Sequence, residues 1–210
     1  MNYLINNFPY VLRLFLQHLQ MTLEVVGFSL LIAVPLGVAV ARARWLEGPV
    51  LGVLGVIYTI PSLSFFVLLI PLFGLGFTPA VIALVAYAQL ALVRNWVVGL
   101  TSLDPAVLET AQGMGMNGWQ RFWQVELPLA LPLLLAGVRL AALSAIGIGT
   151  IAAYINAGGL GTLLFQGVVT ANYEMILVGS IAVSVLAIGV NYLLRFLEHR
   201  AEASIRGEPA

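Results

Sequence analysis

Apolar residues run through this chain in long blocks, and the polar positions gather between them. Five blocks reach the length of about 20 mostly apolar residues that a helix needs to cross a bilayer. They are Met21–Ala41, Pro49–Phe73, Thr78–Leu100, Leu127–Ile155 and Met175–Leu197. None has the period-two alternation of a barrel strand. The pattern predicts an all-α polytopic membrane protein with five transmembrane helices, the bundle occupying residues 21–197. Ahead of it, residues 1–20 place Tyr3, Phe8, Leu12, Phe15, Leu16 and Leu19 in an amphipathic arrangement. That segment is expected to lie on the outer membrane surface as an interfacial anchor. Residues 198–210 are expected to form a cytoplasmic tail. Ala39-Val40-Ala41 has the small-x-small form of a signal cleavage site. The apolar block before it is too long for a signal core and precedes its stronger basic cluster, so the first span is expected to be retained.

Composition sharpens this picture. Hydrophobic residues make up 61% of the 210 and charged residues 9%, against roughly 25% charged in a soluble domain. Nine arginines balance nine acids, with no lysine and no cysteine. The missing cysteines exclude a disulfide framework and a thiolate metal site. Zero net charge without a basic stripe argues against nucleic acid as a partner. Arg42, Arg44, Arg121, Arg195, Arg200 and Arg206 all fall on one side of the membrane, leaving Arg13 on the other. The positive-inside bias then places the N-terminus outside and the C-terminus in the cytoplasm.

Residues 101–126 form the one long cytoplasmic loop. Asp104-Pro105 is a helix start, with Asp as cap and Pro at the first helical position. The helix is expected to turn Val107, Ala111 and Met114 to one face and to end at Gly113-Met114-Gly115. Asn117 can cap a second short helix, Gly118–Gln124, whose Trp119, Phe122 and Trp123 form an aromatic face. The element is expected to lie at the membrane surface, with one apolar face to the bundle and a small, mixed face to the cytoplasm. A plain amphipathic connector on lipid headgroups is the alternative. Leu127-Pro128 opens the fourth span.

Within this loop Glu109-Thr110-Ala111, Gly115, Val125, Leu127 and Pro128 resemble the cytoplasmic signature of ABC importer permeases: E-A-A, three residues, G, nine residues, I-x-L-P. The spacing matches throughout, with Thr110 replacing Ala and Val125 replacing Ile. Thr59-Ile60-Pro61-Ser62-Leu63, Arg94-Asn95, Asp104-Pro105-Ala106, Gly113-Met114-Gly115-Met116 and Ala157-Gly158-Gly159-Leu160-Gly161 are similar to stretches of osmoprotectant importer permeases. Tyr58 and Trp96 depart from that subfamily's pattern, which has Gln and Thr there. The methionine importer permeases are a second, related likeness that shares the Ala-Gly-Gly-Leu-Gly stretch.

The resemblance implies a type I ABC importer permease with a methionine-importer-like core. It further implies a coupling helix docked on two separate ATPase subunits, a second permease subunit, an external substrate-binding protein, and a bacterial or archaeal cell membrane around them. The implied cargo is glycine betaine, carnitine, choline or proline betaine. The chain contains no G-x-x-x-x-G-K-[ST] phosphate loop, so it is expected to bind no cofactor itself, with ATP and magnesium on the partner ATPases. It is expected not to be an enzyme. His18 and His199 lie outside the predicted spans at opposite ends of the chain, and Glu126 and Asp104 are assigned with Glu109 to docking. Sparse acids in the spans leave little for an ion-driven carrier.

Candidate path or gate residues are Tyr58, Thr59, Pro61, Ser62, Ser64, Tyr87, Gln89, Arg139, Tyr154, Asn156, Gly158 and Gly159. Pro61 and Pro71 are expected to bend the second span and free carbonyls to line a cavity. Arg139 is placed deep in the fourth span, where a charge must face protein or water; a gate and a structural pair with a carbonyl or remote acid are both open. Arg94 lies near enough to the cytoplasmic end to snorkel. Gly137, Ala141, Ala145 and Gly149, four apart, form a small-residue stripe for packing within the chain or against a second copy. The segment 156–172 is expected to make a glycine turn and a short helix at the outer gate.

Overall fold

The computed structural model describes residues 2–206, so residues 207–210 of the expected tail lie outside the described residues. Those described are helical or connecting, with no strand among them. Helix α1 spans Asn2–Asn6, α2 Phe8–Arg42, α3 Glu47–Thr59, α4 Ser62–Phe73, α5 Phe77–Thr101, α6 Pro105–Gly113, α7 Gly118–Arg121, α8 Leu127–Ala152, α9 Gly161–Val169 and α10 Tyr173–Arg206.

Helix α5 is the centre, packed between α2 and α8. Its Ala80, Ala83, Leu84, Leu92 and Val93 are almost completely buried. The small-residue stripe of α8 is used inside the chain. Ala141 and Ala145 are buried, a Cβ on Gly137 would stand 2.7 Å from Asn95 Cβ on α5, and one on Gly149 2.8 Å from Met21 Cε on α2. Close backbone approach needs such positions.

Two spans depart from the expected pattern. The first is one continuous helix of 35 residues, about 52 Å at 1.5 Å per residue. The expected surface segment is therefore its first third. Val11 and Leu14 are buried against Ile146, Leu160, Leu163 and Met175 of the bundle. Val11, Leu14, His18, Met21 and Val25 form one buried stripe, at the three-and-four spacing of a core-facing helix. Amphipathicity alone does not distinguish such a stripe from one facing lipid headgroups.

The second span is broken. Helices α3 and α4 meet at 94°. Pro61 has no N–H to donate and forces the preceding residue out of the helical region; Ile60 is extended at φ −63°, ψ 128°. Pro71 sits inside α4, which continues through it. The pair still crosses the bundle. α3 begins just after Arg42, whose side chain meets Glu126 at the start of α8. Beyond α4, the Gly76 N–H donates to the carbonyl of Ile155 past the other end of α8.

The third span agrees closely with α5. The fourth and fifth are longer than expected. Helix runs from Gly118 to Ile155 without a gap, and α10 continues to Arg206.

Candidate functional site

The loop between α5 and α8 is built from local signals. Asp104 caps α6, its carboxylate accepting from the Ala106 N–H at 2.9 Å. Helix α6 closes with two reversed hydrogen bonds, Gly115 N–H to Gln112 and Met116 N–H to Ala111. Gly115 supplies the positive φ, +81°, that this C-cap requires. Asn117 and Gln120 form a reciprocal capping box that starts α7. The helix then widens to a π-turn over Phe122–Glu126 before α8. Pro128 explains the widening: its ring excludes an ordinary bond to the carbonyl four residues back.

Glu109 and Thr110 stand exposed on α6, while Ala111 is buried. Thr110 Oγ1 donates to the Ala106 carbonyl. Val125 and Ala111 meet across a shallow groove of about 290 Å³, lined also by Ala106, Val107, Thr110 and Met114. The expected apolar face of α6 is only partly used. Ala111 turns inward, whereas Val107 and Met114 are 40% and 66% exposed. The aromatic face also turns outward: Trp119 and Trp123 are exposed, and only Phe122, with Leu127, packs on Trp96, Leu100, Ala130 and Leu134. The loop thus presents apolar and aromatic surface away from its own bundle.

Glu126, assigned to docking from the sequence, is instead 2% exposed. Its carboxylate accepts from Arg121 Nε at 2.8 Å and from the guanidinium of Arg42 at the end of α2, Nη1 at 3.3 Å. The Arg42 guanidinium also lies over the Phe122 ring at 5.9 Å. One carboxylate therefore joins α2, the loop and α8. Sequence reasoning missed this brace because Arg42 is 84 residues away.

The candidate path residues do not gather in one place. Tyr58 and Tyr87 meet edge to face at 6.0 Å, and Phe65, across the break in the second span, meets Tyr87 at 5.4 Å. The Tyr87 hydroxyl donates to the carbonyl of Ile60 at 2.6 Å, satisfying one group freed at Pro61. Tyr58 and Tyr87 line a cavity of about 280 Å³ with Arg94, Asn95, Leu140 and Ser144 among its other walls. Thr59 bonds its own helix at Val56. Ser62 is half-buried and Ser64 exposed in the first turn of α4. Gln89 is buried and donates to carbonyls of Ser29 and Val85; two residues from Tyr87, it faces nearly the opposite side of α5. Trp96 is 6% exposed in the core and does not line the cavity. Arg139 is tied to Glu198 of α10 at 3.0 Å, a structural pair with a remote acid rather than a free gate charge.

At the other end, Tyr154 packs edge to face on Phe165. Asn156 adopts a left-handed conformation, φ 69°, turning the chain out of α8. Gly158 and Gly159, φ +82° and +75°, then bring the backbone onto α2. The Gly159 N–H donates to Gln17 Oε1 at 3.1 Å and the Leu160 N–H to His18 Nδ1 at 3.2 Å. His18 Nε2 faces the carbonyl of Ile146 at 3.1 Å. This pairing requires a neutral ring with its proton on Nε2. His18, placed outside the spans by sequence, is fully buried inside α2 and joins three segments.

Comparison with known proteins agrees with this architecture. Residues 33–206 match the family described as the binding-protein-dependent transport system inner membrane component. The chain is 42% identical to the osmoprotectant import permease protein OsmW of Salmonella typhimurium over 94% of each chain. It is 38% identical to the glycine betaine/carnitine/choline transport system permease protein OpuCB of Bacillus subtilis, over 88% of this chain and 85% of that one. Among solved structures, an inward-facing MetNI methionine ABC transporter superimposes with a TM-score of 0.82 at 22% identity, covering 91% of this chain and 95% of that one. At that identity the likeness speaks for the fold.

Proposed function

Because the chain belongs to the binding-protein-dependent transport system inner membrane components, we propose that it is the permease subunit of an ABC importer for a small zwitterionic or quaternary-ammonium osmoprotectant. Glycine betaine, carnitine, choline and proline betaine are the candidates. The observation that carries this reading is the extent of identity to osmoprotectant permeases, 42% over nearly the whole chain, with the importer signature on an exposed helix. The methionine alternative rests on structural likeness at 22–25% identity and on the shared Ala-Gly-Gly-Leu-Gly stretch, well below the identity to the osmoprotectant permeases.

In this reading α6 is the coupling helix. Two separate ATPase subunits hold ATP and magnesium and perform the hydrolysis, which this chain does not catalyse. A second permease subunit, identical or related, completes the path, and an external binding protein delivers the solute. The exposed Glu109, Thr110, Val107 and Met114 support docking, since the bundle does not use them. Movement of α6 reaches α8 through the unbroken helix from Gly118 and reaches α2 through Glu126 and its two arginines. That geometry suits a rocking, alternating-access cycle. The Gly158-Gly159 turn and α9 form the outer gate, and the coupling loop faces the cytoplasm.

The test uses the permease expressed with its neighbouring ATPase and binding protein in proteoliposomes. ATP-dependent uptake of glycine betaine, carnitine or choline is expected. Glu109→Lys places a like-signed charge wherever the carboxylate meets a cation, a cost of several kcal/mol. It should lower uptake and ATPase stimulation roughly tenfold or more while membrane insertion stays normal. Normal coupled transport in that variant would remove the coupling assignment.

A further inference from the structure

Two arginines lie within the spans, and the bundle treats them differently. Arg139 has Glu198 as its partner. The Arg94 side chain has no hydrogen bond or ion pair among the described residues. It is exposed and stands seven residues before the loop end of α5, about 10 Å along the helix, where a long side chain reaches either the interface or the cavity beside it. Arg94 faces the cavity of about 280 Å³ at the elbow of the broken span.

The opposite pole of this cavity is aromatic. Tyr87 is two turns before Arg94 on the same face of α5, and Tyr58 packs edge to face on it. Side chains on a helix lean toward its N-terminus, so the Arg94 chain leans toward Tyr87. The Tyr87 hydroxyl donates to the Ile60 carbonyl, and its largely buried ring is packed edge to face with Tyr58 and Phe65. Asn95 and Ser144 add polar groups to the walls. No acid lines the cavity. A volume near the small end of ligand cavities, roughly 300–1,000 Å³, suits a small solute.

We infer that this cavity is a transient binding site for a zwitterion carrying both a carboxylate and a quaternary ammonium, held by Arg94 at one pole and by Tyr58 and Tyr87 at the other. The inference rests on the importer reading above and narrows its cargo. Guanidinium–carboxylate pairing is strong and directional, and an ammonium is drawn to aromatic faces. A betaine or carnitine satisfies both poles. Choline, a cation without a carboxylate, leaves Arg94 unpaired and adds a second positive charge beside it. The site therefore selects against choline even where the external binding protein accepts it.

The test measures ligand binding to the nucleotide-free permease–ATPase complex without the binding protein. Saturation-transfer NMR reports glycine betaine against tetramethylammonium, which keeps the cation and lacks the carboxylate. The wild type is expected to prefer glycine betaine. Arg94→Gln should reduce that preference about tenfold or more, and Arg94→Lys should restore part of it. Tyr58→Leu should weaken both ligands together. Each variant is compared as an intact, monodisperse complex with its ATPase, which separates misfolding from lost recognition. An unchanged preference in intact Arg94→Gln complexes, or equal loss of both ligands, would overturn the site while leaving the importer reading in place. Absence of ATP-driven uptake of any trimethylammonium solute by the wild type would instead overturn the importer reading, and this inference with it.

Discussion

Glu126 carries one negative charge between two guanidinium groups and almost no contact with water. Its desolvation is offset only while both partners remain. Glu126→Gln leaves Arg42 and Arg121 facing a neutral amide. Removing one member of a fully buried pair costs about 3–5 kcal/mol. Arg42 is 47% and Arg121 26% exposed, so water screens part of that loss and the expected cost is about 1–3 kcal/mol. Thermal unfolding in detergent measures it as a lowered Tm, and an unchanged Tm would show that the brace contributes nothing. The same residues mark what the sequence could disclose. Asp104, Gly115 and Pro128 were legible because each answers a local backbone demand: a cap, a positive φ, a missing donor. The role of Glu126 was not, because its partner Arg42 arrives from another span. Trp96, a departure from the subfamily's pattern in sequence, is likewise placed only by packing, which buries it against Gly37.

At the scale of elements, hydropathy found the four long apolar helices and the bent α3–α4 pair but could not see how segments lean on each other. The stripe of α2 from Val11 to Val25 has the periodicity of a surface helix and the burial of a core helix. Which applies depends on α9 and α10, far along the chain. The break in the second span was legible at Pro61. That Pro71 leaves its helix unbroken was not, because a proline is accommodated when neighbouring helices satisfy the freed carbonyl. The glycine turn before α9 gives a sharp test. A Cβ on Gly161 would collide with the Thr150 carbonyl oxygen, a backbone atom that cannot swing aside like a flexible side chain. Gly161→Ala should displace α9 from α8 and break the bond from the Leu160 amide to His18. A cost of at least about 1–3 kcal/mol is expected from overpacking. Hydrogen exchange at the Leu160 amide should rise in the variant; protection equal to the wild type would mean that the turn absorbs the methyl group.

The whole molecule has two chemically different ends. One carries Arg42, Arg44, Arg121 and the α6–α7 loop. The other carries the Gly76–Ile155 contact, the glycine turn and the bond from the Tyr3 N–H to Glu174. The positive-inside bias predicts that the first end faces the cytoplasm, and the proposed docking on cytoplasmic ATPases needs the same side. The absence of cysteine makes this directly measurable, because a single introduced thiol has no background. Ser102 and Thr170 are both exposed, beside α6 and just past α9 respectively. In intact cells a membrane-impermeant maleimide should label Thr170→Cys at once and Ser102→Cys only after the membrane is opened. The reverse pattern would invert the molecule, detach α6 from any cytoplasmic ATPase and remove the mechanical path through Glu126. Equal labelling of both would indicate mixed insertion, the outcome expected if six same-sided arginines were too few to set orientation.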